Sequence, residues 1–285
     1  MPSEQFYWID ANGNETALSG SSNFEILVGP TGRFMPPVDL VEQQVPFQAG
    51  TRLKQLYVKS RDIDLPLGIT GTSKSDLRTQ VRNLLNMFNP LLGDGTLKII
   101  AEDGSQRQIK CRYSSGLEIQ ETGLLWQNVI VVLKAFDPFW YDPSTIVQTF
   151  KLNENPGLFF PILPLRLVSS TIFADVTLNN QGDVETWPEW IVTGPCDSLV
   201  LSNLTTGEVT DLQVSLEAGE TITIDTSPYV KTITKSDGTN LYYTMTDTSS
   251  LWALQEGNNS IQIQMSNATT DSSVQLSYSL RYWGA

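Results

Sequence analysis

Leu77, Val81, Leu84, Leu85 and Phe88 fall at i, i+4, i+7, i+8 and i+11 of SKSDLRTQVRNLLNMFNP, residues 73–90. Apolar residues at that spacing form one stripe along an α-helix. Ser73, with Asp76 three residues on, predicts an N-cap, and Pro90 predicts the stop. Almost everything else follows the period of two that marks half-buried strands. Before the helix, FEILV (24–28) and RLKQLYVKSRDIDLPLGI (52–69) read as strands. Ile63, Leu65, Leu67 and Ile69 alternate cleanly, and Pro66 among them predicts an edge strand or a bulge. After the helix, TLKIIAEDGSQRQIKCRY predicts a hairpin with a type I′ turn at Asp103-Gly104. GLEIQETGLLWQNVIVVLKAF predicts a second hairpin turning near Gly123.

Beyond residue 143 the helical period does not return. IVQTFKL reads as a strand, whereas NENPGLFFPILPLRL is interrupted by Pro156, Pro161 and Pro164 and predicts an extended connector within 144–170. Then come WIVTG, SLVLSN, LQVSLEAG, ETITID, YVKTITK, LYYTM, SIQIQM and SVQLSYSLRYW, all strand-like. Turns are expected at Glu217-Ala218-Gly219, Asp237-Gly238 and Gly257-Asn258-Asn259. The fold class is therefore α+β, mainly β. An antiparallel sheet domain with one main helix spans 1–140, and a β-rich domain spans 141–285. Many short strands with regular turns favour a sandwich over a barrel.

Charge reinforces this division. Of 285 residues, 1–135 carry 13 Lys+Arg against 14 Asp+Glu, and 136–285 carry 5 against 17. A nearly neutral half packs against copies of itself at little electrostatic cost, and an acidic half suits an exposed appendage. The net charge of -13 excludes a nucleic-acid-wrapping role, which needs a basic footprint. No apolar run is long enough to cross a bilayer. MPSEQFYWID has neither a basic start nor an apolar core, so no signal peptide is expected and synthesis in the cytoplasm is.

Candidate chemistry is sparse. The chain has no histidine, which removes Ser-His-Asp and Cys-His catalysis. Cys111 and Cys196 are far apart, and two reduced, buried thiols are expected rather than a zinc cluster. No phosphate-binding loop or EF-hand spacing occurs. Oxygen-only calcium ligation stays open on residue types alone, but the acids are scattered through turns as solvated charges are. No metal or cofactor is expected. Asp183, Glu185 and Glu189 flank Trp187 and Trp190 in GDVETWPEW, which would suit a glycosidase carboxylate pair or a sugar platform. Trp187, Trp190 and Trp252 are the sugar-stacking candidates, weighed against tryptophans that merely anchor a sandwich. In AFDPFWYDP, residues 135–143, Phe136, Phe139, Trp140 and Tyr141 lie where the charge balance and the pattern both change. Packing at a domain junction is expected of them.

The order of features matters more than any one motif. GITGTSKSDLRTQVRNLLNMFNPLLGDGTLKI is followed by a DG hairpin, then LKAFDPFWYDP, WPEWIVTGPC, LSNLTTGE, LEAGETITIDT and LQEGNNSIQI. This order resembles the distal tail protein family of long-tailed, non-contractile bacteriophages over nearly the whole chain. The resemblance implies a non-enzymatic virion protein at the far end of the tail. N-terminal domains would form a hexameric ring, and a galectin-like C-terminal β-sandwich would project outward. Implied partners are the tail tube protein, the tape-measure protein, a tail-associated fibre or lysin, and the receptor-binding apparatus. A closed ring uses head-to-tail contacts, and residues 30–50, with little regular structure expected, are assigned to them. The rival readings are a carbohydrate-binding protein acting in adsorption and a cell-wall glycoside hydrolase.

Overall fold

The computed structural model describes residues 4–21, 23–151 and 172–285. The chain divides into two compact units, Met1–Pro143 with Tyr282–Ala285, and Ser144–Arg281. The sequence-based division at 140 gave all later residues to the second domain. The structure returns the last four to the first.

The first unit contains β1 (Gln5–Ile9), β2 (Glu15–Ala17), β3 (Phe24–Ile26), β4 (Val38–Gln44), β5 (Thr51–Val58) and β6 (Arg61–Thr70). Helix α1 (Lys74–Met87) follows, then β7 (Gly95–Ile100), β8 (Gln106–Thr122), β9 (Trp126–Ala135) and the start of β10 (Trp140–Lys151). Strand β8 is long enough to serve two antiparallel ladders. Its first part pairs with β7, which pairs with β1 and so with β2. Its second part pairs with β9, which pairs with β6 and so with β3. The alternation read in β6 is real: Ile63, Leu65, Leu67 and Ile69 are all fully buried. They share one apolar core with Trp8, Leu97, Leu133 and the inner face of α1.

The helix begins at its expected cap, where Ser73 Oγ accepts from the Asp76 N–H at 3.1 Å. Leu77, Leu84 and Phe88 are buried, but Leu85 is exposed. At 100° per residue Leu85 sits about 80° from Leu77, outside the narrow stripe facing the sheet. Two local expectations are corrected. Strand β6 is interior, between β3 and β9, rather than an edge. Pro66 is tolerated because β3 ends at its partner for Leu67; the Pro66 carbonyl accepts from Leu27, so its missing donor faces the side where β3 has run out. The turn at Asp103-Gly104 is not type I′, which needs two left-handed residues. Only Gly104 is left-handed (φ 84°), and the turn is closed by Gly104 N–H to Ala101 O and Ala101 N–H to Ser105 O.

The second unit contains the rest of β10, then β11 (Ile172–Asn180), β12 (Glu189–Thr193), β13 (Ser198–Asn203), β14 (Glu208–Leu212), β15 (Thr221–Asp225), β16 (Thr232–Lys235), β17 (Gly257–Ser266) and β18 (Ser273–Tyr282). One sheet has the order β11-β17-β13-β14, and a second contains β16-β15-β12-β18. Their alternating apolar residues meet in a single core that includes Trp190, Trp252, Leu201, Ile224, Ile263 and Leu276. This is a sandwich. IVQTFK lies in β10 as expected; the rest of the proline-broken connector, 152–170, lies outside the described residues.

Three strand readings change here. LYYTM is a 3₁₀ turn at Tyr242–Thr244, started by Asn240 Oδ1 accepting from Tyr242 N–H at 2.9 Å. The strand read at 212–219 is displaced to β14, because Asn203 and the left-handed Gly207 make a tight turn after β13. Asn258 and Asn259 extend β17 rather than turn. Asn259 is buried, and its amide donates to the Gln255 and Gly257 carbonyls while its oxygen accepts from Gln255 N–H.

Candidate assembly surfaces

Residues 30–50 are more ordered than their sequence suggested. VDLVEQQ forms β4, which pairs with β5 from Val38↔Val58 to Gln44↔Thr51, with one bulge between Val41 and Glu42. The two strands form a sheet of their own, so among the described residues neither outer edge pairs with a third strand. Val38, Leu40, Val41, Leu53, Leu56 and Tyr57 are all exposed. A lone two-stranded hairpin is marginal in water, and free apolar edges are templates for pairing with another chain. At the tip, Phe47 is fully exposed and has φ +60°. A left-handed non-glycine residue costs about 1–2 kcal/mol, so the tip spends backbone energy on holding an aromatic ring in solvent. Residues 30–50 were expected to hold little regular structure; Val38, Leu40 and Val41 do not alternate through VDLVEQQ, and every residue of β4 is exposed, so no core-facing side marks the strand.

A groove of about 430 Å³ opens elsewhere on this unit, between α1 and the β8–β9 turn. Leu77, Val81, Ile119 and Leu124 supply its apolar wall, and Lys74 and Arg78 its charge. Gln127 also lines it, with a side-chain oxygen that is shielded from solvent and accepts no hydrogen bond among the described residues. Ile119 and Leu124 are themselves exposed.

The expected junction residues occupy different positions. Trp140 is fully buried in the core of the first unit, and its indole N–H has no partner among the described residues. Phe139 is half-buried and meets Trp283 edge-on at 5.1 Å. Tyr141 is half-buried and donates its hydroxyl to Asp137. Phe136 is 62% exposed, so it does not pack as expected. After β9 the alternation breaks at the Asp137-Pro138 turn, which leaves this ring on the outside.

The returning tail is held by groups that sequence reading did not single out. Arg61, fully buried, donates through one terminal nitrogen to the carbonyls of Gly32, Arg33 and Phe34, and through the other to that of Trp283 at 2.7 Å. Burial pushes its guanidinium down to about 10, with Asp137 opposing the shift. Arg107 lies over the Tyr282 ring at 3.6 Å, and Ala285 N–H donates to Arg33 O. Only glycine fits at position 32, where φ is +76° and a Cβ would sit 2.0 Å from the Asp62 carbonyl oxygen.

In the second unit two of the three sugar-stacking candidates are core residues. Trp190 is 1% and Trp252 2% exposed, and they meet edge-on at 5.6 Å. The Trp252 indole donates to Leu201 O. Neither ring has a face open to a sugar, which corrects that expectation. Trp187 is half-buried with Lys231 over its ring at 5.6 Å. The acids flanking it, Asp183, Glu185 and Glu189, all lie on exposed positions, and the Glu185 backbone carbonyl accepts from Arg281. Cys111 and Cys196 are buried, and burial pushes their thiols up to about 12 and about 11.

Two family models match the chain. The phage tail protein RIFT-related domain matches residues 19–130, and the siphovirus-type tail component, C-terminal domain, matches residues 181–282. The structure is similar to the crystal structure of SPP1 Dit, described as a paradigm of the hub adsorption apparatus in phages infecting Gram-positive hosts. The TM-score is 0.71 and the identity 13%, over 97% of this chain and 98% of that one. It is also similar to a chain of the phage P2 baseplate in its activated conformation with Ca, with TM-score 0.58 and 12% identity over 98% of each chain. No curated protein matches the sequence.

Proposed function

The chain belongs to the siphovirus-type tail components, and on that premise we propose that it is the structural hub of a phage tail tip, working as a hexameric ring. The observation that carries this reading is the free-standing β4–β5 hairpin. It exposes apolar side chains and two unpaired edges on the nearly neutral half of the chain, at a cost that only a partner surface offsets. Head-to-tail use of such a surface closes into a ring when the rotation between subunits allows it. The ring joins the tail tube protein on one side and a tail-associated fibre or lysin on the other, near the end of the tape-measure protein. The receptor-binding apparatus attaches through it. The acidic second unit remains soluble as an outward appendage. The protein acts at the distal end of the virion tail after synthesis in the host cytoplasm, and its work is assembly rather than catalysis.

Phe139, Trp140 and Tyr141 contribute by fixing the chain where it leaves the first unit. Negative-stain imaging of the purified protein tests the ring. Six-fold class averages are expected, and they should be lost when residues 40–56 are replaced by a short Gly-Ser linker. Rings that persist without the hairpin would refute its role.

A further inference from the structure

The hairpin and the groove lie at opposite ends of β6. Strand β5 ends at Val58, just before β6 begins at Arg61. The groove sits beyond the other end, where Thr70 pairs with Trp126 and Gly71 N–H donates to Leu125 O. Ten residues of strand separate them, roughly 30 Å. Every residue of β4 is exposed, as is Phe47, so the hairpin does not lie back along its own unit and its tip does not fill its own groove.

The β4 strand, unlike β5 with its Arg52 and Lys54, is complementary to the groove. Strand β4 carries Asp39 and Glu42 and no cation. The groove carries Lys74 and Arg78, and no acid lines it. Each surface interleaves its charges with aliphatic side chains, and Phe47 offers a ring to a wall of Leu77, Val81, Ile119 and Leu124. Gln48, next to Phe47, has the amide donor that Gln127 Oε1 lacks. The intramolecular partners of the two acids, Lys59 for Asp39 and Thr51 for Glu42, are on exposed positions and are exchanged cheaply.

We propose that the groove between α1 and the β8–β9 turn receives the β4 strand and the Phe47 tip of a second copy of this chain. Knob and hole lie on different parts of one surface, so the contact is heterologous and propagates from copy to copy. This deepens the ring reading and rests on it: it names which surface each subunit gives and which it receives.

A charge-swap experiment tests it. K74E/R78E reverses the groove, and D39K/E42K reverses the strand. Each variant alone should require on the order of tenfold more protein for half-assembly than the parent. An equimolar mixture of the two should assemble at the parental concentration, because every contact in an alternating ring is again opposite in charge. F47A, checked for parental circular dichroism, should show a similar loss that mixing does not repair. If the parent forms rings and either charge variant assembles equally well, or if mixing fails to restore impaired variants, the groove contact is wrong and the ring stands. If the parent forms no oligomer at any concentration, both are wrong.

Discussion

Arg61 and the two cysteines show how much of this chain's chemistry is spent on structure. One guanidinium serves four carbonyls on two separate segments, 32–34 and Trp283, within the first unit. Lysine offers a point charge rather than a planar fork. Arg61→Lys should therefore lower stability by about 2 kcal/mol, read as a shift in the urea midpoint. An unchanged midpoint would mean the tail is held by its aromatic contacts alone. Trp140→Ala, which empties a fully buried site, should cost about 3–5 kcal/mol. It should also impair assembly if the rings at 139–141 fix the exit of the chain; a variant as stable and as competent as the parent would remove that role.

The thiols predict a pH dependence. Their folded values, about 12 and about 11, lie above the ordinary 9.0. The unfolded chain therefore loses these protons first, and the stability they confer is complete below pH 9 and declines between pH 9 and 11–12. The slope is about 1.4 kcal/mol per pH unit for each thiol. Comparing denaturant midpoints of the parent and C111A/C196A across that range should show a steeper fall in the parent; parallel curves would contradict the assignment.

Among the elements, the helix and β6 were legible because each keeps one period for its whole length. Leu77, Leu84 and Phe88 repeat on one face, and Ile63 to Ile69 alternate, so tertiary burial only confirms local pattern. The β4–β5 hairpin was half-legible. Its β5 segment was read as strand within 52–69, but exposure on every residue gave β4 no core-facing side to announce it. Short elements were decided by single polar contacts invisible in a periodicity, such as the Tyr242 N–H donating to Asn240 Oδ1 at the turn that replaced the LYYTM strand. The tryptophans failed as site markers for a related reason. Ring burial depends on which sheet faces which, and spacing does not reveal that Trp190 and Trp252 meet in a core. The tail latch was illegible because it joins residues 222 apart in sequence. Free edges also give a measurable signature in the hairpin. Amides of 38–58 should exchange with deuterium rapidly in the dispersed chain and slow by at least an order of magnitude on assembly. Equal protection in both states would show that the hairpin is not a contact surface.

At the scale of the whole molecule, the two units differ in charge. The first, close to neutral, bears the hairpin and the groove, and the second is an acidic sandwich with a self-contained core. Nothing in the described residues gathers three or more metal-ligating side chains. Val38, Leu40, Val41, Phe47, Leu53, Leu56 and Tyr57 form one cluster of exposed apolar side chains on the hairpin. In the proposed ring, the hairpin and the groove join copies of the chain head to tail. Light scattering on the purified protein over increasing concentration measures this directly. A plateau at the mass of six 31.7 kDa subunits is predicted, and a mass that stays at one subunit up to the highest attainable concentration would contradict it.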